Sequence, residues 1–543
     1  MGQITYRGNL SSSVFPMTLA DAGRAVIIPG PDQNYDRRVD PTGEQKNAGI
    51  PQAIFLQDVM PTPDGYQSVG YRRFTGDMAM AGEVVAKTVP VTCLGGSQLF
   101  VNYLYQGELL RQRSGTDGQS AVTGSSWNEF STLSSCAVRG EAYLYASGVN
   151  RLYTVVGSSS TLAFTEITLT VTPLNFLTTA NIKTILTFAN YLIAISSDGT
   201  VYWSSTTTPT DFVVSLVSGS GSTQLSDLRG IYVTAEVCSK GFYIYSTEGA
   251  LFAQYTGNAR YPFKFTVVQN FSGLNLLSII YTERKVAGGV TFSGNVVIDK
   301  FGAIKLLDGI TASPLSAEIS SHLSHSTVRD NFSYATNTFT QTVSNTFSAG
   351  LFIWMDRYVF ISVYDSENDV NSQFSHVIVY DFELKRIGKL AVTHKHVISF
   401  NTSQANRGPG IGFVDAVAGV IRYLNFDIYN SDISFMTCED HVGVLALGKF
   451  QYARSRKIKL EEIEFEGPPN TSEGFIQATS CIILPCQDGR NFDAAITPYT
   501  AAGTTGGLSQ YLCHNTAQNH TILVKGAFSL NTLQLKFTPA GGS

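Results

Sequence analysis

One hairpin, repeated with variations, sets what this chain can fold into. In YLIAISSDGTVYWSS (residues 191–205) two runs of β-branched and aromatic residues flank Asp198-Gly199. Side chains of that kind suit a pleated, half-buried surface, and an Asp-Gly pair suits a tight turn because glycine accepts positive φ without steric cost. The same plan, a turn glycine followed by strand-forming residues, recurs at Gly107, Gly148, Gly199, Gly249, Gly294 and Gly419, with a variant centred on Asp356 in FIWMDRYVFISVY. The first four intervals are 41, 51, 50 and 45 residues and the last two are 62 and 63. Four-stranded propeller blades repeat about every 40–50 residues. A second hairpin, HVIVYDFELKRIGKL (residues 376–390), fills part of the longer late intervals, as two-hairpin blades require. The expected fold class is therefore all-β: a β-propeller-like body of six to eight blades over residues 91–444.

The ends of the chain have a different texture. Residues 1–90 are rich in turn formers, as in IIPGPDQNYDRRVDPTGEQKNAGIP, which predicts an extended N-terminal arm whose residues 20–50 order only against a partner. From residue 445, SRKIKLEEIEFEG alternates charged and apolar residues with period two, and FIQATSCIILPC, HTILVKGAF and NTLQLKFTP follow. This pattern predicts a C-terminal β-sheet or sandwich layer over 445–543, docked on the propeller because no Pro/Ser linker separates the two.

Charge and motif content narrow the function. Charged residues make up 15% of the chain against a usual ~25%. The difference is filled by neutral polar residues, as on a surface meant to be covered in an assembly or on a β-rich extracellular protein. A net charge of −5 argues against a protein that wraps DNA, since affinity for nucleic acid comes mostly from neutralised phosphates, but not against one that DNA only passes. The basic groups Arg37/Arg38, Arg72/Arg73, Arg111/Arg113 and Arg454–Lys459 read as surface charge, with docking of a partner or DNA-facing rings as the alternative. Cys93, Cys136, Cys238, Cys438, Cys481, Cys486 and Cys513 are odd in number and lack a CxxC pair, which predicts free thiols in a reducing compartment. The first residues carry no basic segment followed by an apolar core, and no run approaches ~18 apolar residues, so synthesis in the cytoplasm without membrane insertion is expected.

Chemistry-bearing patterns are sparse. His394 and His396 would share one strand face and His322 and His325 lie close in sequence, but no Asp, Glu or Cys accompanies either pair at ligand spacing; surface or interface histidines, no metal and no cofactor are expected. GxSxG, HExxH and GxxxxGK[ST] are absent, and no catalytic residue is assigned. Ser196, Asp198 and Trp203 fit the Asp-box that closes blade hairpins in sialidase-like propellers, although Gly199 follows Asp198 directly and Tyr202 stands where Thr is expected. That box is itself structural.

Residues 181–257 resemble the nozzle (tail-hub, packaged-DNA stabilisation) proteins of short-tailed bacteriophages, with Phe188, Asn190, Trp203, Ser204, Phe212, Ile231, Gly249 and Phe252 in matching places. HVIVYDFELKRIGKL is similar to a later strand of that family, with Ile387 where an aromatic is usual, and QYARSRKIKLEEIEFEG to the strand that opens its last sheet. The resemblance implies a structural virion protein of the viral tail, assembled as a hexameric ring below the portal adaptor. Such a ring extends the DNA channel, retains packaged DNA until ejection and anchors tail fibres or spikes. It implies no catalytic residue and assigns no channel-lining one. Two further classes stay open at this stage: a propeller glycan-binding protein or glycosidase, and a cellular interaction scaffold.

Overall fold

The structure, a computed structural model, describes residues 181–286 without a break and, elsewhere, strands and short turns within 13–18, 52–62, 66–74, 87–167 and 290–539. Residues 20–50, where the arm is expected to be mobile, lie outside the described residues. Among the described residues there is no helix, and so none long and apolar enough to cross a membrane.

Seven antiparallel sheets follow one another along the chain. Blade 1 is Lys87–Cys93, Leu99–Gln106, Leu109–Arg113 and Gln119–Ala121. Blade 2 is Leu133–Val138, Glu141–Ala146, Arg151–Gly157 and Leu162–Ile167. Blade 3 is Ile182–Phe188, Tyr191–Ser196, Thr200–Trp203 and Gly221–Gln224. Blade 4 is Tyr232–Cys238, Gly241–Ser246, Gly249–Tyr255 and Phe263–Val267. Blade 5 is Leu274–Val286, Val290–Asp299, Ile304–Asp308 and Thr311–Pro314. Blade 6 is Phe347–Met355, Tyr358–Asp365, His376–Asp381 and Arg386–Leu390. Blade 7 takes His396–Phe400, Gly410–Val414 and Ile421–Asn425 from the same stretch and Gly70–Phe74 from the N-terminal region. First strands stand side by side in order, and the first strand of blade 7 meets that of blade 1. The result is a closed β-propeller with the first strands innermost.

A radial sheet has two faces to bury, so its core lies in seams between blades. Leu192, Ala194 and Ile185 meet Tyr143, Tyr145 and Leu152 between blades 2 and 3. Tyr191, Ile193, Ile195 and Trp203 face Phe242, Ile244 and Phe263 between blades 3 and 4, and similar seams join blades 4 to 5, 5 to 6 and 6 to 7. Strand Tyr191–Ser196 is buried at every position because its alternating residues serve two different seams. Each such side chain contributes roughly 1.5–3 kcal/mol by leaving water. The inner hairpins turn on pairs with positive φ, Arg139–Gly140 and Ala189–Asn190, as the right-handed twist of two-residue hairpins demands.

The N-terminal region differs from the separate arm expected over residues 1–90. Gly70–Phe74 pairs with Ile421–Asn425 as the fourth strand of blade 7 and with Met436–Cys438 on its other edge, while Val59–Pro61 and Tyr66–Ser68 extend blade 6. Two further antiparallel sheets form beside the propeller. One runs Ser13–Thr18, Thr532–Pro539, Ile458–Glu466, Leu508–Ala517; the other runs Gln52–Gln57, Gly443–Gln451, Asn519–Gly526, Cys481–Cys486, Tyr499–Thr500. Unpaired strand edges leave backbone groups unsatisfied, and the early strands supply the missing partners. The join to the propeller is close: Ser68 N–H donates to Phe528 O at 2.8 Å, and Phe528 N–H donates to Ser68 Oγ at 2.8 Å. A side chain at Gly443 would run into Ser68 and the Asp58 carbonyl.

Candidate functional site

Up-and-down strand order puts two kinds of connection on opposite faces of the propeller. One face carries the turns between second and third strands and the entries to the first strands. There a single hydrogen bond recurs in three successive blades: Ser197 N–H to Asn181 O at 3.1 Å, Thr247 N–H to Ile231 O at 3.0 Å, and Lys300 N–H to Gly273 O at 2.9 Å. The last residue of the second strand repeats as well, since Ser196, Ser246 and Asp299 are all buried and all bond the turn that follows. Ser196 Oγ accepts from Thr200 N–H at 3.1 Å and contacts Asp198, and Asp198 Oδ1 accepts from Thr200 N–H at 2.9 Å. The Ser196 hydroxyl and the Thr200 N–H hold the Asp198 carboxyl below the usual carboxylate range. Asp198 is an acceptor that fixes a turn, with no proton to give near neutral pH. The Asp-box residues are structural here, as blades 4 and 5 repeat the same slot.

The other face carries the turns between first and second strands and the loops between third and fourth. Adjacent blades are bridged on it by Arg139 Nη1 to Thr207 O at 3.2 Å and by Lys240 Nζ to Asp308 Oδ1 at 2.8 Å. The connection at 204–220 in blade 3 stands out. Ser215 N–H donates to Ser220 O at 3.1 Å and Gly219 N–H to Ser215 O at 3.0 Å; the Ser215 hydroxyl accepts from Val217 N–H at 3.2 Å and Ser218 N–H at 3.3 Å; Asp211 Oδ1 accepts from Val213 N–H at 3.1 Å. Trp203 anchors the base, its Nε1–H donating to Gly219 O at 2.9 Å. This ordered loop presents Val213, Val214, Leu216 and Val217 to solvent at 51, 73, 71 and 99% exposure.

The titratable groups inside the propeller have structural roles. His394 is fully buried: Nδ1 lies 2.9 Å from Val392 O and Nε2 2.7 Å from Ser362 Oγ, with Phe374 stacked on the ring and Phe413 at its edge. A neutral imidazole donating through Nδ1 and accepting at Nε2 satisfies both partners. Ser362 and His394 form a serine–histidine pair that no substrate can reach. His396 opens the first strand of blade 7, and its side chain lies outside the described residues, as do His322 and His325. Among the described residues no three His, Cys, Asp or Glu side chains gather as a metal site. Cys136 and Cys238 are free thiols, and burial pushes both up in pKa. Of the basic groups, Arg72 and Arg73 fall on the closing strand of blade 7, and Arg111 and Arg113 on the third strand of blade 1. Arg37/Arg38 lie outside the described residues, and of the Arg454–Lys459 group only the strand position of Ile458 and Lys459 is described.

Glu236, on the innermost strand of blade 4, is a group that sequence reasoning missed. Burial among Tyr232, Tyr245 and the neighbouring blade pushes its carboxyl up to about 7, although a part of its surface still meets solvent. The unfolded chain holds this proton only below its ordinary value of about 4.3, so between the two values the native state binds more protons and stability falls as pH rises. Stability from this group is complete below about pH 4 and lost as pH passes about 7, a loss of at most about 4 kcal/mol at about 1.36 kcal/mol per unit. Denaturant midpoints at pH 5 and pH 8 should therefore differ more in the wild type than in Glu236→Gln. Equal differences in the two proteins would remove Glu236 as the cause.

No family model matches the chain, and no curated protein matches it. Solved structures similar to it include YCF48 bound to D1 peptide, with 10% identity over 70% of this chain and 100% of that one and a TM-score of 0.37. The WD40 β-propeller domain of Doa1 gives 12% identity over 64% and 97% with a TM-score of 0.31, and BamB from Moraxella catarrhalis 10% over 71% and 100% with a TM-score of 0.28.

Proposed function

We propose that the chain is a structural subunit of the tail nozzle of a short-tailed bacteriophage. A ring of copies, expected to be six, would extend the DNA channel below the portal and adaptor, retain the packaged genome and anchor fibres or spikes. One observation carries this reading: residues 181–257, where the family resemblance is fullest, correspond to blade 3 and the first three strands of blade 4, and Phe188, Trp203, Phe212 and Phe252 among the matched residues pack in the seams of that framework. Phe188 ends an inner strand, Trp203 and Phe252 lie in the seams on either side of blade 4, and Gly249 opens that blade's third strand. The side chains of Ser196, Asp198, Ser246 and Asp299 are engaged with the backbone of their own turns, which favours a scaffold over a catalyst. A net charge of −5 suits a wall along which DNA slides, because several Lys or Arg contacts multiplied around a ring would hold phosphate in a strong, salt-dependent way.

Negative-stain microscopy of the purified protein is expected to show rings with a central opening, and duplex DNA should bind weakly at physiological salt without being cleaved. A monomer at all concentrations, or turnover of a polysaccharide abolished by one carboxylate substitution, would overturn this function in favour of a glycan-directed propeller.

A further inference from the structure

The loop that carries Val213, Val214, Leu216 and Val217 meets its backbone's needs from within. Val213 N–H donates to Asp211 Oδ1, Ser215 N–H to Ser220 O, Val217 and Ser218 N–H to Ser215 Oγ, and Gly219 N–H to Ser215 O. Carbonyls are taken as well: Val213 O accepts from the Ser220 hydroxyl, Ser218 O from Thr206 N–H, and Gly219 O from the Trp203 indole. A loop in water can leave such groups to the solvent, whereas one that enters an apolar phase must satisfy them internally. Serine hydroxyls close this loop, and the four apolar side chains point away from it.

The knob they form exposes an apolar area on the order of 400 Å², of the size that marks interaction sites. Cations stand on both sides of it. Arg139, on the exposed inner turn of blade 2, reaches the loop through Nη1 to Thr207 O. On the other side a Cβ at Gly219 would lie 3.7 Å from the carbonyl of Ala259, and the next residue is the exposed Arg260. Its guanidinium lies 5.5 Å from the ring centre of Tyr261, which is 63% exposed. Neighbouring acids are turned elsewhere: Asp211 onto the Val213 amide, Glu141 onto the Tyr143 hydroxyl and Asp308 onto Lys240. Aliphatic side chains at an apex, with an amphipathic aromatic and arginines behind them, are what a segment lying in a bilayer interface combines. The apex passes the headgroups, the ring sits among them, and guanidinium groups meet lipid phosphate. A protein partner would have to supply both a pocket shaped to this apex and anions for the two arginines. An anionic bilayer offers an apolar interior and phosphates with no prior fit.

We propose that the Val213–Val217 knob seats in the interface of an anionic phospholipid bilayer, with Arg139 and Arg260 on the lipid phosphates, so that the propeller lies on a membrane through this face without spanning it. The inference does not rest on the ring function proposed above. Vesicle sedimentation of the full chain tests it. The wild type is expected to sediment with phosphatidylcholine/phosphatidylglycerol vesicles, and about tenfold more weakly with pure phosphatidylcholine. Leu216→Asp/Val217→Asp should weaken binding to the mixed vesicles by about tenfold or more, because a carboxylate must then enter the interface. Arg139→Gln/Arg260→Gln should bring it down to the phosphatidylcholine level. All four side chains are exposed, so far-UV circular dichroism and melting should be unchanged, with Leu216→Ser/Val217→Ser as the milder substitute. In Val217→Trp, brominated lipid should quench emission that the wild type lacks, which separates an inserted side chain from adhesion by the arginines alone.

A wild type that stays in the supernatant with the mixed vesicles would overturn the proposal, as would equal binding by the wild type and the aspartate variant. Equal binding to the two kinds of vesicle would overturn the part given to the arginines. Self-association that the aspartate substitutions abolish, without vesicle binding, would make the knob a protein contact, overturning the bilayer while leaving the ring standing. Vesicle binding by a chain that stays monomeric, lost in the aspartate variant, would support the knob's role and overturn the ring.

Discussion

Gly273→Ala is expected to destabilise the chain by about 3 kcal/mol or more, from backbone strain of about 1–3 kcal/mol plus overpacking of about 1–3 kcal/mol. Gly273 has φ +112°, outside the regions that a side-chain-bearing residue adopts, and a Cβ there would lie 2.2 Å from Thr247 O and 2.6 Å from Glu248 N. Both obstacles are backbone, so no rotamer change relieves them. The residue marks where blade 5 begins against the turn of blade 4, and its carbonyl accepts from Lys300 N–H. Movement there would loosen two blades together. Gly257→Ala is the control: φ is +76° and nothing lies within 4 Å of the added Cβ, so only the left-handed cost of about 1–2 kcal/mol applies. Urea unfolding of both variants separates strain from collision. Equal losses at the two sites would mean that the close approach of blades 4 and 5 carries no energy.

How far such features could be read in advance depends on how local they are. Gly107, Gly148 and Gly419 lie outside the described residues; Gly199 falls at the turn between the second and third strands of blade 3 and Gly249 opens the third strand of blade 4, where a short hairpin leaves a compositional mark. Gly294 does not: it lies inside the second strand of blade 5, paired with Thr282, and the real turn is at residues 300–303, where Asp299 Oδ1 accepts from Phe301 and Ala303 N–H. Asp356 lies outside the described residues, and the strands on either side of it, Phe347–Met355 and Tyr358–Asp365, are the first and second of blade 6. An inserted hairpin, Thr327–Ser333 with Thr338–Ser344, accounts for the long interval after blade 5. Closure of the propeller was beyond local reading, because Gly70–Phe74 finds its partner some 350 residues later and nothing in GYRRF says which edge it will meet.

The candidate site divides in the same way. The turn chemistry of Ser196 and Asp198 was legible as structural because side-chain-to-backbone bonds span only a few residues. Glu236 and the Ser362–His394 pair owe their character to neighbours from other blades, so no pattern in VTAEVC or FISVY announces them. FVVSLV has the propensities of a strand, yet it forms the exposed knob. Ser215 decides this by drawing the Val217 and Ser218 amides onto its hydroxyl and the Gly219 amide onto its carbonyl, which bends the segment back before it can pair. A serine between apolar residues and a following Gly-Ser-Gly was the signal available.

Trp203→Ala is expected to cost about 3–5 kcal/mol, the range for deleting a buried aromatic ring. The indole is 8% exposed in the seam between blades 3 and 4, edge-on to Phe263 with centroids 6.0 Å apart. Gly221 lies flat against it, so close that a Cβ there would stand 2.8 Å from the ring. Its Nε1–H to Gly219 O bond also ties the seam to the base of the knob. The two roles separate with Trp203→Phe, which keeps most of the packing but drops the donor, leaving the Gly219 carbonyl without this partner at a cost of about 1–3 kcal/mol. In that variant the amides of Val217, Ser218 and Gly219 should exchange with solvent faster while those of Tyr191–Ser196 stay protected. Unchanged exchange at 217–219 in Trp203→Phe would show that Ser215 and Asp211 hold the 213–217 tip by themselves, and that its order is independent of the core of blade 3.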